Sequence, residues 1–183
     1  MDAWLVILTI AIPWLGAVSA WILGNKRHES QHRLASAFAI AGAVASLALI
    51  GVISGDPVIT IPLGGVFGEF TLVPDGLGVY LAMIAAIIGG LSVIFSNEYM
   101  KGEAQLNRYY ALTFLFIGAM IGLVLSGSLL FMFFFWEITA FCSYALISFH
   151  NDDPKAVAGG IKALIITSIG GIGLLAGAVL GYS

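Results

Sequence analysis

The run Leu129-Leu-Phe-Met-Phe-Phe-Phe-Trp-Glu-Ile-Thr-Ala-Phe141 decides the fold, because it is long, apolar and interrupted by a single charged residue. A charged side chain at the centre of a bilayer-spanning helix costs roughly 2.5–3.5 kcal/mol on insertion scales. Residues of this kind usually face a protein interior or a water-filled cavity, and they often mark ion or proton pathways. Glu137 is therefore the first candidate functional residue, provided that this run lies in a membrane.

The composition of the chain is that of an integral membrane protein. Hydrophobic residues make up 60% of the 183 residues and charged residues only 9%, whereas soluble domains average about 25% charged residues. The first apolar run begins almost at Met1 without a basic segment before it or a cleavage motif after it, so we expect a retained span rather than a signal peptide. The net charge of -3 and the lack of a basic patch argue against nucleic acid as a partner.

Six apolar runs reach the length of about 20 residues that a helix needs to cross the hydrocarbon core. They predict an all-α, polytopic membrane protein with one transmembrane domain over residues 1–183. A short external β-hairpin is expected between the second and third spans, from Val58–Pro62 and Val66–Leu72. The predicted spans are residues 3–23, 34–54, 76–96, 109–128, 129–149 and 156–180.

The charged residues between the spans predict the orientation of the chain. The loop Gly24–Arg33 carries three of the seven basic residues and is therefore expected to be cytoplasmic. Alternation of the spans then places Lys101, Arg108 and Lys155 on the cytoplasmic side, and both chain termini on the external side. The segment 55–75, whose charged residues are all acidic, is also external.

Two ionisable residues lie within predicted spans. Glu137 is expected about 18 Å from the cytoplasmic end of its helix, and Lys162 about 9 Å into the sixth helix. Their backbone levels differ by roughly 9 Å, so a direct ion pair would be strained and an intervening group is expected. The simpler alternatives are a protonated, hydrogen-bonded Glu137 that only packs, and a Lys162 whose long stem snorkels to the interface.

Several other residues have both a functional and a structural explanation. His150, in the polar segment 150–155, is a candidate for collecting protons at the cytoplasmic mouth. The same segment is fully explained as a helix start, with Asp152 or Asp153 as N-cap before Pro154. Asp75 is expected to be an N-cap as well.

The remaining candidates are expected to be structural. His28 and His32 are predicted to be solvated in the basic loop. The single cysteine, Cys142, can form neither an internal disulfide nor a cysteine-based metal site, and the chain has no cofactor motif. Small residues at helical spacing predict close helix packing, and Trp14 is expected to pack at a kink beside Pro13; the glycines are Gly118, Gly122, Gly173, Gly177 and Gly181.

From residue 75 onward, the chain resembles the antiporter-like membrane subunits shared by respiratory complex I, Mrp-type multisubunit Na⁺/H⁺ antiporters and membrane-bound hydrogenase or sulfur reductase complexes. The segment Leu164–Gly177 is most similar to the Mrp-type large subunit. The motifs that carry the resemblance occur in the family's order: Asp75-Gly-Leu77, Ser96-Asn-Glu-Tyr-Met100, Arg108-Tyr-Tyr110, Phe135-Trp-Glu-Ile-Thr-Ala-Phe-Cys-Ser-Tyr144, Asp153-Pro154 and Ile161-Lys-Ala-Leu-Ile-Ile-Thr167.

The resemblance implies roles for particular residues. Glu137 matches a key ion-pathway glutamate that works with a lysine on the seventh helix of the family fold, and Lys162 matches a lysine often present on the sixth helix. Where complex I-type members carry Thr-Arg-Val-Gly-Asp, this chain reads Thr167-Ser-Ile-Gly-Gly171, so an additional ion pair is missing. The chain stops before the broken helix of the repeat. Another membrane subunit is therefore expected to supply the missing helices and the lysine partner of Glu137.

Taken with the composition, the resemblance implies an ion-translocating subunit of a complex in a prokaryotic cytoplasmic membrane. It would move protons, with exchange for Na⁺ as one form of transport. It would hold no cofactor and no redox site of its own. The alternative is a structural or assembly subunit of the same kind of complex, without a pathway of its own.

Overall fold

The computed structural model describes residues 2–25, 28–51, 58–62 and 69–181. Within these residues, six helices are long and apolar enough to cross a membrane, which confirms the predicted fold class. The orientation across the membrane and the single-domain boundary stay predictions. The elements are α1 (Asp2–Leu23), α2 (His28–Ala48) with a 3₁₀ turn at Leu49–Gly51, β1 (Ile59–Pro62), β2 (Glu69–Leu72), α3 (Gly76–Tyr99), α4 (Leu106–Leu125), α5 (Leu129–Ile147) and α6 (Pro154–Gly181).

The first four helices form a closed bundle, and the last two extend it on one side. α1 packs on α2 and α4, and α3 packs on the same two helices. α5 packs on α4 outside this bundle, and α6 packs on α5. α4 is therefore central, and its Leu106, Tyr110 and Phe114 are buried with at most 1% exposure. α6 buries only Gly160, Gly171 and Ala178, so neighbours in the described part of the chain cover one narrow stripe of it.

Two glycines of α4 allow large aromatic side chains to approach the helix. A methyl group at Gly118 would overlap the indole of Trp14 on α1, and one at Gly122 would overlap the ring of Phe135 on α5. The two aromatic rings lie 6.0 Å apart between centroids. The predicted packing of Gly118, Gly122 and Trp14 is thus confirmed, because a small residue lets neighbouring helices come close. The Cβ positions of Gly173, Gly177 and Gly181 have no described atom within 4 Å.

The hairpin between α2 and α3 is confirmed by its two strands, whereas residues 63–68, which include the connection and the predicted start of the second strand at Val66, lie outside the described residues. β1 and β2 pair antiparallel, with Ile59 opposite Leu72 and Pro62 opposite Glu69. β2 is also tied to the connection between α4 and α5, since Gly127 N donates to Thr71 O at 2.8 Å. The hairpin therefore fixes the position at which α5 begins.

α2 begins at His28, six residues before the predicted start at residue 34. The polar residues that had predicted a loop are compatible with a helix end outside the apolar region. Arg33 and Glu29 form an exposed i,i+4 ion pair at 2.6 Å, a spacing that stabilises helices. Gln31 Nε2 donates to Ala20 O in the last turn of α1 and to Gly24 O just after it, both at 2.8 Å, and so satisfies carbonyls at the end of that helix.

Two predicted helix caps are confirmed. Asp75 is the N-cap of α3, and its carboxylate accepts a hydrogen bond from Gly78 N at 2.6 Å. Asp153 precedes α6 and accepts from Lys155 N at 2.9 Å, with Pro154 as the first helical residue. Each carboxylate satisfies a backbone N–H that the helix itself leaves unpaired.

Candidate functional site

Glu137 lies at the middle of α5. It is the ninth residue of the helix Leu129–Ile147, and Ile147 is about 15 Å away along the axis. Its side chain is half-buried and lies on the side of α5 that contacts α6. α5 has the length and hydropathy of a candidate membrane span, and Glu137 is the one charged residue within it.

The carboxyl group of Glu137 lies directly against the backbone of α6. A Cβ atom built at the buried Gly171 would overlap Glu137 Oε1. The same Cβ position is 3.4 Å from Trp136 Cδ1, and the corresponding position at Gly170 is 3.6 Å from Trp136 Cζ2. Residue 171 can therefore accommodate the carboxyl group only because it has no side chain.

A hydrogen bond next to this contact fixes the register of α5 against α6. Trp136 Nε1 donates to Thr167 O at 3.1 Å, and Thr167 O is also the α-helical acceptor for the N–H of Gly171. Further along, the Cβ position of Gly160 is 3.0 Å from Tyr144 O. These two contacts place Glu137 at the backbone level of Thr167. We call Trp136, Thr167 and Gly171 the Glu137 contact surface.

Lys162 is not brought to Glu137. Its backbone level is five residues from Thr167, or about 8 Å, which agrees with the roughly 9 Å expected. Lys162 nevertheless lies nine residues before Gly171, which corresponds to a rotation of about 180° around the helix. Since side chains tilt toward the N-terminus of their own helix, the two side chains of this antiparallel pair also point in opposite axial directions. Lys162 is exposed.

No residue in the described ranges forms an ion pair or a hydrogen bond with the Glu137 carboxyl group. The described residues also contain no group of three or more His, Cys, Asp or Glu side chains that could hold a metal ion. The predicted lysine partner of Glu137 is thus not among them.

His150 lies beyond the end of α5, at the predicted cytoplasmic mouth and more than ten residues from Glu137. Its side chain is 64% exposed, and Nε2 is 3.9 Å from Glu103 Oε1. The ring packs edge-on against Phe149, with centroids 5.4 Å apart. The structure therefore does not bring His150 together with Glu137 or Lys162.

The sequence prediction for His32 is wrong, because His32 belongs to a polar cluster between α2, α3 and α4. His32 Nδ1 lies 2.7 Å from the hydroxyl of Tyr110. Tyr110 donates to Asn97 Oδ1 at 3.0 Å, Asn97 Nδ2 donates to Ser36 Oγ at 2.7 Å, and Ser36 donates to the backbone oxygen of His32 at 2.9 Å. Since the single hydroxyl hydrogen of Tyr110 is used toward Asn97, His32 must carry the hydrogen on Nδ1. We call these four residues the His32 cluster.

A signal for this cluster was present in the sequence. His32 and Ser36 are four residues apart, and so share a helical face once α2 begins at His28. If α2 begins at residue 34, as predicted, His32 falls in a loop and its four-residue spacing from Ser36 has no structural meaning. Tyr110, from the motif Arg108-Tyr-Tyr110, is fully buried.

A family model described as "NADH:quinone oxidoreductase/Mrp antiporter, TM" matches residues 126–183. A second, described as "NADH-Ubiquinone oxidoreductase (complex I), chain 5 N-terminus", matches residues 61–110. The Na⁺/H⁺ antiporter subunit A1 of Staphylococcus aureus is 41% identical over 112 residues, which are 61% of this chain and 14% of that protein. The chain thus spans about one seventh of the length of this relative.

Two solved structures are similar to this fold. The Mrp complex from Dietzia sp. DQ12-45-1b contains a chain with a TM-score of 0.83 and 27% identity, over 96% of this chain and 19% of that one. A membrane-bound sulfane sulfur reductase, an archaeal respiratory membrane complex, matches in fold with a TM-score of 0.71 and 19% identity, over 92% of this chain and 26% of that one. The chain is a multi-pass cell membrane protein, and in sequence it is similar to the antiporter-like membrane subunits of Mrp-type Na⁺/H⁺ antiporters and respiratory complex I.

Proposed function

We propose that this chain is part of an ion-translocating subunit of a multisubunit membrane complex, and that Glu137 is a protonation site on its ion pathway. The relatives that match the chain are an Na⁺/H⁺ antiporter subunit and chains of multisubunit membrane complexes. Protons are the proposed ion, with exchange for Na⁺ as the form of transport that the antiporter relatives suggest. Other membrane subunits and the lipid bilayer are the proposed partners.

The observation that carries the proposal is the position of Glu137. A carboxyl group at the centre of an apolar helix is costly and usually functional. Here it is half-buried, lies against the bare backbone of Gly171, and has no ionic partner among the residues that the structure describes. A cationic group from elsewhere in the subunit or complex would favour the ionised form of a carboxyl group that it approaches, so its approach or withdrawal would couple to release or uptake of a proton.

Lys162 and His150 have secondary roles in this proposal. Lys162 projects from the opposite side of α6, so it would act on a group outside the described residues rather than as a direct partner of Glu137. His150 is exposed at the predicted cytoplasmic mouth, where a histidine is suited to exchange protons with water.

The experiment that tests the proposal is Glu137→Gln in the complex assembled in the cell membrane. Gln keeps the size and hydrogen-bonding capacity of the side chain but cannot release a proton. We expect a large loss of proton-coupled ion exchange in inverted membrane vesicles, with an unchanged amount of assembled complex. Glu69→Gln is the matched control, because Glu69 lies at the start of β2 outside the spans. Normal exchange by a normally assembled Glu137→Gln complex would contradict the proposal.

The second candidate is a structural or assembly subunit without a pathway of its own. The orientation of Lys162 favours this candidate, because it keeps the ammonium group of Lys162 apart from the carboxyl group of Glu137. In that case Glu137→Gln should lower the amount of assembled complex, and the exchange measured per assembled complex should remain that of the unmodified protein.

A further inference from the structure

The contact between the Glu137 carboxyl group and α6 depends on two neighbouring residues, Gly171 and Trp136. The carboxyl group occupies the space that a side chain at position 171 would take, since a Cβ atom there would overlap Glu137 Oε1. Gly171 is also one of the three residues of α6 that are buried. A methyl group at this position would have to push the carboxyl group away, because the backbone of α6 is held by its contacts with α5.

Trp136 supplies the second constraint. Its indole N–H donates to Thr167 O at 3.1 Å, and its ring lies 3.4 Å from the position of a Cβ atom at residue 171. The ring therefore closes the space beside Gly171, and the hydrogen bond holds α6 at the register that brings Gly171 to Glu137. Thr167 itself is fixed in the helix, since its hydroxyl donates to Ala163 O at 2.9 Å.

We propose that Gly171 and Trp136 are positioning residues for Glu137: the missing side chain at 171 and the Trp136–Thr167 hydrogen bond hold the carboxyl group against the backbone of α6, in the one position from which it exchanges its proton. This inference rests on the proposed function of Glu137. It accounts for the glycine at position 171. The space left by the absent side chain gives the Glu137 carboxyl group a fixed position, and no second charged residue is needed there. It also separates Gly171 from the other glycines of α6, such as Gly173, whose Cβ position has open space around it.

The test compares Gly171→Ala with Gly173→Ala in the assembled complex. The two changes add the same methyl group to the same helix and give the same gain in helix propensity, about 1 kcal/mol. Only the methyl group added at position 171 would contact Glu137. The readouts are the pH dependence of proton-coupled ion exchange in inverted vesicles and the amount of assembled complex.

We expect Gly171→Ala to lower exchange roughly 10- to 100-fold, since displacement of a reacting group by about 1 Å costs up to about that factor. The pH at which exchange is half-maximal should also shift, because the carboxyl group leaves its present surroundings. Gly173→Ala should remain within about twofold of the unmodified complex at every pH, as exposed changes away from such contacts have small effects. Coinciding pH profiles for the two variants would overturn the inference.

A shortened carboxylate provides an independent check. In Glu137→Asp the carboxyl group is retracted by one methylene, so we expect it no longer to overlap a methyl group at position 171. Gly171→Ala should therefore cost much less exchange in the Glu137→Asp background than in the unmodified one, because effects on residues in contact are not additive. Equal fold losses in both backgrounds would show that the methyl group acts elsewhere.

If Gly171→Ala is absent from the membrane, Trp136→Phe replaces it, because phenylalanine keeps an aromatic ring but cannot donate to Thr167 O. A shifted pH profile at normal assembly supports the inference, and an unshifted one overturns it. Failure of the proposed function is recognised separately: normal exchange by Glu137→Gln removes that function, whereas loss of exchange in Glu137→Gln with a silent Gly171→Ala removes only the positioning role.

Discussion

Tyr110→Phe is the most direct test of the His32 cluster. The change removes one oxygen atom and leaves the aromatic ring, so the packing of this fully buried side chain is retained. Two hydrogen bonds disappear: the one that Tyr110 donates to Asn97 Oδ1 at 3.0 Å and the one that it accepts from His32 Nδ1 at 2.7 Å. The two hydrogen bonds that tie α4 to α2 and α3 in this cluster are lost, while the one between Asn97 and Ser36 remains.

The magnitude follows from these two bonds. An intramolecular hydrogen bond contributes about 0.5–1.5 kcal/mol net to stability, and side-chain bonds inside membrane proteins average about 0.6 kcal/mol. Two such bonds give about 1–3 kcal/mol. Since every 1.4 kcal/mol is a factor of ten in an equilibrium constant, the population of opened molecules should rise roughly 5- to 150-fold.

The assay uses Cys142, which is the one cysteine of this chain and is fully buried on α5. A thiol reagent labels it only when the packing around α5 opens, and mass spectrometry of its peptide measures the rate in the intact complex. Labelling of Tyr110→Phe should be faster by the factor given above. Tyr99→Phe is the control, because Tyr99 is 74% exposed and its ring stacks on Phe95 at the protein surface. Equal labelling rates for the two variants would refute the role assigned to the cluster.

Three further predictions concern single contacts. Gly118→Ala should destabilise the bundle by about 1–3 kcal/mol, because the new methyl group overlaps Trp14; Cys142 labelling measures this, and Gly173→Ala should leave the rate unchanged. Asp75→Ala should cost about 0.5–2 kcal/mol through loss of the N-cap of α3 and Asp75→Asn much less, as checked by the thermal unfolding midpoint in detergent; equal midpoints for the two would contradict the capping role. Lys162→Met and Glu137→Asp should have independent effects on ion exchange, additive within about 0.3–0.5 kcal/mol, since the two side chains leave α6 and α5 in opposite directions; a coupling energy well above this range would instead indicate direct contact.

Much of the fold could be predicted because it depends on local properties. The six spans follow from the length of apolar runs, and the caps at Asp75 and Asp153 follow from residue types at helix starts. The start of α2 was predicted wrongly because residues 28–33 are polar, and polarity alone does not separate a loop from a helix end that protrudes from the apolar region. The ion pair of Glu29 with Arg33 and the hydrogen bonds of Gln31 decide this in favour of a helix.

The candidate site was predictable in its central residue and not in its surroundings. Glu137 is conspicuous in any hydropathy pattern, since one charge in a long apolar run is rare and costly. The contact surface around Glu137 is not conspicuous in the sequence, because Gly171 lies 34 positions further along the chain and is one of many glycines. The orientation of Lys162 was equally hidden, as it depends on the rotation of α6 about its own axis.

The sequence by itself determined that this chain forms six helices long and apolar enough to cross a membrane, that one carboxylate lies in the middle of the fifth helix, and that the chain resembles antiporter-like subunits. These properties are carried by composition, run length and motif order, which do not require any knowledge of packing. Only the tertiary structure decided that Glu137 faces Gly171, that Lys162 faces away from it, and that His32 is held by Tyr110. Each of these depends on the register and rotation of one helix against another, which are set by contacts between residues far apart in the chain.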